Sequence, residues 1–317
     1  MELALFQIAV GLVGLYYGAE WLVRGAGALA ARLKISPLII GLTVVAYGTS
    51  TPELMVSLRS TFDGYGDLAV GNAVGSNILN VCLILGLAAL IRPISCHLQL
   101  LRVDTPLMLV FTGLFLLLFL DGTISRVDGA ILVSALIAYT GMNLVLAKRQ
   151  ITEPTVLAEF EHEVPKPGKN LITDICLLLV GLVLLAASAH FLVEGAVYVA
   201  RAWGISEAVI GITIVALGTS LPELSTCLVA AFRNAGDLAL GNIIGSNVYN
   251  LLGILGVAGL VFPIESQGIT WLDLGAMSAS SLLLWPMLWT DRELGRREGA
   301  LLVALYGLYV WSLWPKS

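Results

Sequence analysis

Residues 48–54, Gly-Thr-Ser-Thr-Pro-Glu-Leu, return almost unchanged at 218–224 as Gly-Thr-Ser-Leu-Pro-Glu-Leu. The shift of 170 places that lays Glu53 on Glu223 also lays GDLAVGNAVGSNILN (66–80) on GDLALGNIIGSNVYN (236–250). It pairs Ser36 with Ser206, Gly86 with Gly256, Pro93 with Pro263 and Asp121 with Asp291. Between 36 and 93 roughly half the positions are identical, without a gap. The chain is therefore two copies of one unit, and the motif sits at the same place in each.

Composition identifies the solvent around that unit. The chain has 317 residues, 58% of them hydrophobic and 12% charged, with a mean hydropathy of +0.91. About a quarter of an average soluble domain is charged, so lipid is the main solvent here. Stretches of ~20 apolar residues cross a bilayer as helices. Ten are predicted: 3–23, 36–60, 68–91, 103–120, 127–147, 171–199, 206–231, 238–262, 270–290 and 297–314. The first, from Met1, follows Glu2 rather than a basic segment and reads as a retained helix, not a signal peptide. A net charge of −5 and the lack of any basic aromatic patch argue against a nucleic-acid partner. Cys82, Cys96, Cys176 and Cys227 have no metal-ligand spacing and read as small apolar side chains. His97, His162 and His190 are scattered too widely for a histidine metal site.

One polar stretch divides the chain. Residues 148–170 hold Glu153, Glu159, Glu161, Glu163, Pro154, Pro165 and Pro167 and read as a linker between repeats at 1–147 and 171–317. Each repeat then contains five spans. An odd number makes the second copy enter the membrane from the opposite face, the inverted repeat of many secondary transporters, whose substrate sites lie near the midplane. The fold class expected is an all-α polytopic membrane protein of about ten transmembrane helices in two inverted five-helix repeats. Thirteen Lys and Arg fall on one side of that topology; Arg59, Arg126, Arg201 and Lys316 fall on the other. Basic loops stay cytoplasmic, so the linker is expected in the cytoplasm and both termini outside it. Glu20, Arg24 and Glu194 are expected near helix ends, with their charges reaching the interface.

The chemistry lies in the repeated motifs. Pro52 removes a backbone donor and Gly48 permits a break, so the carbonyls of Ala46 to Thr49 are expected to lose helical partners inside the membrane. Ala216 to Glu223 repeats the device. Irregular backbone at that depth is tolerated where it lines a cavity. Glu53 and Glu223 sit within apolar spans, where a carboxylate costs at least ~2.5 kcal/mol and marks a functional candidate. Two carboxylates brought together repel unless a cation or proton lies between them. Ca²⁺ takes six to eight oxygen ligands, including carboxylates, carbonyls and water. In the second motif Asn77 and Asn80 share a helix side with Ser76 nearby, and Ser246, Asn247 and Asn250 answer them. Gly71, Gly75, Gly241 and Gly245 make a small-residue face for close helix approach. Asn80 and Asn250 are expected to face the cation. For Asn72, Asn77, Asn242 and Asn247, cation-facing and helix-to-helix bonding stand as equal readings.

GTSxPE followed by GNxxGSN, twice, resembles the cation/Ca²⁺ antiporter superfamily in its prokaryotic Na⁺/Ca²⁺ exchanger branch, over nearly the whole chain. The resemblance implies a central Ca²⁺ site of Glu53, Glu223 and the backbone oxygens of Thr49 and Thr219, completed by Asn80 and Asn250. It implies flanking Na⁺ sites drawing on Ala46, Ser50 and Ser246 on one side and Ala216, Ser220 and Ser76 on the other. Some relatives carry Asp where this chain has Asn250, which leaves stoichiometry and any K⁺ requirement open. The family's first and sixth spans would slide across the core to alternate access.

The expected function is secondary active antiport of Ca²⁺ against Na⁺ across a prokaryotic plasma (inner) membrane. No cofactor is implied: Ca²⁺ and Na⁺ are substrates, the bilayer is the surroundings, and a monomer suffices. H⁺/Ca²⁺ exchange is the alternative, since paired carboxylates also take protons; Mg²⁺ or Mn²⁺ as the exported ion is a third reading. An enzyme would need a base beside Ser50 or Ser220, and no His lies there. A channel would pass ions without coupling.

Overall fold

The computed structural model describes residues 1–150, 170–204, 216–290 and 292–313. The first half comprises α1 (Glu2–Leu33), the bent pair α2 (Pro37–Thr49) and α3 (Thr51–Phe62), α4 (Gly66–Ile91), α5 (Leu100–Leu118) and α6 (Arg126–Gln150). The second comprises α7 (Leu171–Ala202), α8 (Ala216–Thr219) with α9 (Leu221–Phe232), α10 (Gly236–Val261), α11 (Trp271–Trp289) and α12 (Arg296–Leu313). Counting each broken helix as one segment gives five helical segments per half among the described residues; six helices are long and apolar enough to cross a membrane, and the pair α2–α3 makes a seventh. The predicted linker lies outside them, apart from the end of α6 and Asn170, which caps α7 through Thr173.

α2 and α3 meet at 45°. Ser50 stands at the break with φ −82° and ψ 11°, and Ser220 repeats it at φ −90° and ψ 9°. Each break has Pro at the second position of the following helix, where the missing N–H is no loss to that helix but leaves a carbonyl of the preceding one unserved. At Asn80 and Asn250 the helices widen into π-turns, Asn80–Leu85 and Asn250–Ile254. π-turns of this kind gather at functional sites.

Two antiparallel ribbons fix the orientation of the halves. Ile94–Ser95 (β1) pairs with Glu293–Leu294 (β4), and Thr123–Ile124 (β2) pairs with Ile264–Glu265 (β3). β1 and β2 flank α5, so they lie at opposite membrane faces. β3 is the repeat equivalent of β1, yet it pairs with β2. Equivalent loops therefore sit on opposite faces, and the repeat is inverted. Backbone symmetry outlasts sequence identity: Lys34 and Gly204, Gly64 and Asn234, and Gly122 and Arg292 occupy equivalent places, and all six have positive φ.

α4 and α10 form the buried centre, with Ala69, Val70, Ala73, Ile78, Ala239, Ile243, Ile244 and Val248 in the core. α10 lies close on α2: a Cβ on Gly245 would stand 2.5 Å from the Leu42 carbonyl oxygen, and one on Gly241 2.8 Å from that of Leu38. Outside the centre, α1 and α7 cross antiparallel with backbones touching. A Cβ on Gly181 would stand 2.6 Å from the Leu22 nitrogen, and one on Gly25 2.6 Å from the Leu178 nitrogen. Arg32 Nε binds Asp174 Oδ2 at 2.8 Å and ties the same two helices.

The first helix departs from expectation. Small and apolar residues continue past Arg24, so α1 runs to Leu33 and stops where Lys34 turns left-handed at φ 55°. Glu20 consequently lies inside the helix and is 5% exposed, held by Arg24 and, bidentately, by Arg233 at the end of α9. It reaches a partner in the other half rather than the interface. Glu194, beside His190 at 3.2 Å and Gln7 at 3.3 Å, stays exposed.

Candidate cation site

The sequence places Glu53 in the first turn of α3 and Glu223 in the first turn of α9. The inverted packing brings each against the break of the other half. Ser50 Oγ donates to Glu223 Oε1 at 2.8 Å, and Ser220 Oγ donates to Glu53 Oε1 at 3.0 Å. Both carboxylates are at most 1% exposed. Ser76 Oγ stands 3.4 Å from Ser220 Oγ, and Ser246 Oγ donates to the Ala46 carbonyl at 3.4 Å. Thr49 Oγ1 lies 3.3 Å from that same carbonyl and 3.1 Å from Asn242 Oδ1.

The break frees less backbone than the motif suggested. The Ala46 carbonyl keeps the N–H of Ser50 at 3.1 Å, because the chain turns helical up to Thr49 before it bends. The donor that Pro52 lacks is the one Gly48 would have received four residues on. Ala46 is buried with its carbonyl in this ring; Ala216 contributes its backbone to α8. Thr219 lies at the end of α8, as Thr49 ends α2.

The asparagines divide into two kinds. Asn77 Nδ2 donates to the Asn247 carbonyl at 3.1 Å, and Asn247 Nδ2 to the Asn77 carbonyl at 3.4 Å. Their side-chain oxygens accept in turn from Asn250 Nδ2 at 2.9 Å and Asn80 Nδ2 at 3.0 Å. Asn77 and Asn247 thus spend both ends of the amide between helices and orient Asn80 and Asn250. Asn72 also bonds within protein, through Nδ2 to the Glu53 carbonyl at 3.1 Å and to Ser57 Oγ at 3.0 Å.

What remains over is a set of oxygens. Glu53 Oε2, Glu223 Oε2, Asn80 Oδ1 and Asn250 Oδ1 are buried without a hydrogen-bond partner. Leaving one such acceptor unserved costs about 1–3 kcal/mol; here two from each half recur at equivalent positions. Two carboxylates and two amide oxygens, ringed by hydroxyls and carbonyls, suit a hard cation that takes oxygen ligands. Among the described residues no group of three or more His, Cys, Asp or Glu is placed to hold a metal ion, so the acidic charge of this ring rests on the two glutamates. Sequence reading missed two tethers, Glu20–Arg233 and Thr49–Asn242. A Glu among glycines and alanines was a signal for the first; nothing local announced the second.

An inverted five-helix repeat with broken helices converging on buried carboxylates defines a secondary transporter for cations. Comparison with known proteins agrees. The family described as sodium/calcium exchanger protein matches residues 3–145 and 173–314. The chain is 37% identical over 315 residues to the inner membrane protein YrbG of Escherichia coli K12, covering 98% of this chain and 96% of that one. It is 32% identical over 332 residues to the sodium/calcium exchanger MaX1 of Methanosarcina acetivorans, covering 94% and 95%. A solved structure of the sodium-calcium exchanger NCX_Mj, soaked with Na⁺ and Sr²⁺, superposes with a TM-score of 0.85 at 34% identity, covering 98% of each chain. The chain belongs to the sodium/calcium exchanger family. It is a multi-pass membrane antiporter of the Ca²⁺-exchanging class and not an enzyme; its ions are cargo rather than cofactors.

Proposed function

We propose that this protein exchanges Ca²⁺ for Na⁺ by alternating access, binding Ca²⁺ between Glu53 and Glu223. The observation that carries the reading is the set of four buried, unserved oxygens from Glu53, Glu223, Asn80 and Asn250. Two negative charges balance one Ca²⁺, and the backbone oxygens of Thr49 and Thr219 complete the central ligand set. Ala46, Ser50 and Ser246 on one side and Ala216, Ser220 and Ser76 on the other supply the neutral oxygens of flanking Na⁺ sites. Ser50 and Ser220 each bridge a flanking group to a central carboxylate. Na⁺ beside the pair and Ca²⁺ between them therefore compete for the same charge, and mutual exclusion couples their fluxes. The names of MaX1 and NCX_Mj as sodium/calcium exchangers support Na⁺ as the coupling ion.

The membrane is the plasma (inner) membrane. The unit boundaries are 1–147 and 171–317, with the 148–170 connection in the cytoplasm and both termini outside it; the excess of Lys and Arg on one side supports this. Reconstitution tests the reading. An outwardly directed Na⁺ gradient, from Na⁺-loaded proteoliposomes diluted into Na⁺-free buffer at fixed pH, drives ⁴⁵Ca²⁺ uptake; a pH gradient without Na⁺ does not. Uptake driven by protons alone would assign H⁺ as the coupling ion instead. Glu53→Gln and Glu223→Gln each reduce uptake to background, and near-normal transport by either would refute the central site.

A further inference from the structure

Two asparagines at equivalent positions of the repeat are held by different partners. Asn72 Nδ2 is clamped in its own half by the Glu53 carbonyl and Ser57 Oγ. Asn242 reaches into the other half: its Oδ1 accepts from Thr49 Oγ1 at 3.1 Å, and its buried Nδ2 has no partner among the described residues. The sequence explains the difference. Cys227 stands where Ser57 stands in the first copy, and a thiol is a weak acceptor. Nothing on α9 replaces the hydroxyl that secures Asn72. Asn242 is fully buried, so its single tether to Thr49 is not in exchange with solvent.

That tether acts on the Ala46 carbonyl. A carbonyl oxygen has two lone pairs. The N–H of Ser50 takes one, at 3.1 Å. The other is within reach of the Thr49 hydroxyl at 3.3 Å, of Ser246 Oγ at 3.4 Å and, on the functional reading above, of a flanking cation. Thr49 has one hydroxyl proton; Asn242 Oδ1 at 3.1 Å is nearer to it than the Ala46 carbonyl at 3.3 Å, and the Glu223 carboxylate also lies within reach of the Thr49 side chain. Ser246 can rotate its proton away and offer a lone pair to the same cation. A threonine hydroxyl confined to its own helix would otherwise return its proton to the carbonyl three residues back.

We propose that Asn242 is a positioning residue for the flanking cation site at Ala46: it takes the Thr49 hydroxyl proton and leaves the second lone pair of the Ala46 carbonyl free for the ion. The proposal rests on the assignment of a cation to Ala46, Ser50 and Ser246.

A double-substitution experiment in proteoliposomes tests it. Na⁺-driven ⁴⁵Ca²⁺ uptake gives the Na⁺ half-saturation, and Ca²⁺–Ca²⁺ exchange in Na⁺-free buffer gives the KM of the central site. Asn242→Ala raises the Na⁺ half-saturation about 3- to 10-fold, the span expected for one hydrogen bond, and leaves the Ca²⁺–Ca²⁺ KM unchanged. Thr49→Val removes the contested proton, so in that background Asn242→Ala shifts the Na⁺ half-saturation less than about twofold, the mark of coupled residues. If the alanine variant does not assemble, Asn242→Leu keeps the volume and gives the same pattern. An undiminished effect of Asn242→Ala in the Thr49→Val background overturns the proposal, as does an equal shift in the Ca²⁺–Ca²⁺ KM. If Glu53→Gln and Glu223→Gln are inactive while Asn242→Ala matches the unmodified protein, this inference alone falls; if either glutamate variant transports normally, the site reading falls first.

Discussion

At the scale of single residues, the proposed site depends on side chains whose hydrogen bonds run to protein rather than into the ring of unserved oxygens. Asn77 and Asn247 hold each other's backbone and aim Asn250 and Asn80, so their value lies in orientation. Asn77→Ala leaves Asn250 with nowhere to send its amide, and its oxygen loses its direction. The expected outcome is a Ca²⁺ KM raised about 5- to 10-fold, on the scale of one buried hydrogen bond, with maximal uptake retained; a KM equal to that of the unmodified protein would contradict it. Glu53 and Glu223 were legible from the sequence because a carboxylate in an apolar span needs a reason. Asn80 was expected to face the cation, whereas Asn77 stood between cation-facing and helix-to-helix bonding. The partner helix decides for Asn77, because Asn247 and Asn250 take both ends of its amide.

At the scale of elements, the decisive feature is how closely backbones approach. Glycine opposite glycine lets α1 and α7 touch, and the Arg32–Asp174 pair fastens one end, so the two helices form a single body beside the core. Gly181→Val would drive its side chain into the Leu22 nitrogen and the Gly18 carbonyl, 2.6 and 2.8 Å from the added Cβ. A backbone cannot yield as a flexible side chain does. The variant is expected to melt at a clearly lower temperature in detergent than the unmodified protein, whereas Gly141→Ala, with no atom within 4 Å of the added Cβ, is not; equal melting of the two would deny the close packing its role. The break at Ser50 and Pro52 was readable from local chemistry. Its extent was not, because Ala46 keeps its helical bond with Ser50.

At the scale of the whole molecule, the ribbons β1–β4 and β2–β3 join loops from different halves and hold equivalent loops on opposite faces. Orientation in the membrane then follows from charge. With Cys176, the one exposed cysteine among the described residues, replaced by Ser, Gly64→Cys is expected to react with an impermeant thiol reagent from outside intact cells. Asn234→Cys, its repeat equivalent, reacts only after the membrane is opened; the reverse pattern would invert the proposed topology. The sequence by itself determined that the chain lives in lipid, that it is doubled and inverted, and that two glutamates lie beside broken helices within apolar spans, because composition, repetition and local backbone rules are written residue by residue. Tertiary structure alone decided which hydroxyl serves which carboxylate, that Glu20 answers Arg233, and that Asn242 belongs to Thr49. Those pairings join residues some two hundred positions apart, and they exist only where two oppositely inserted copies close on one another.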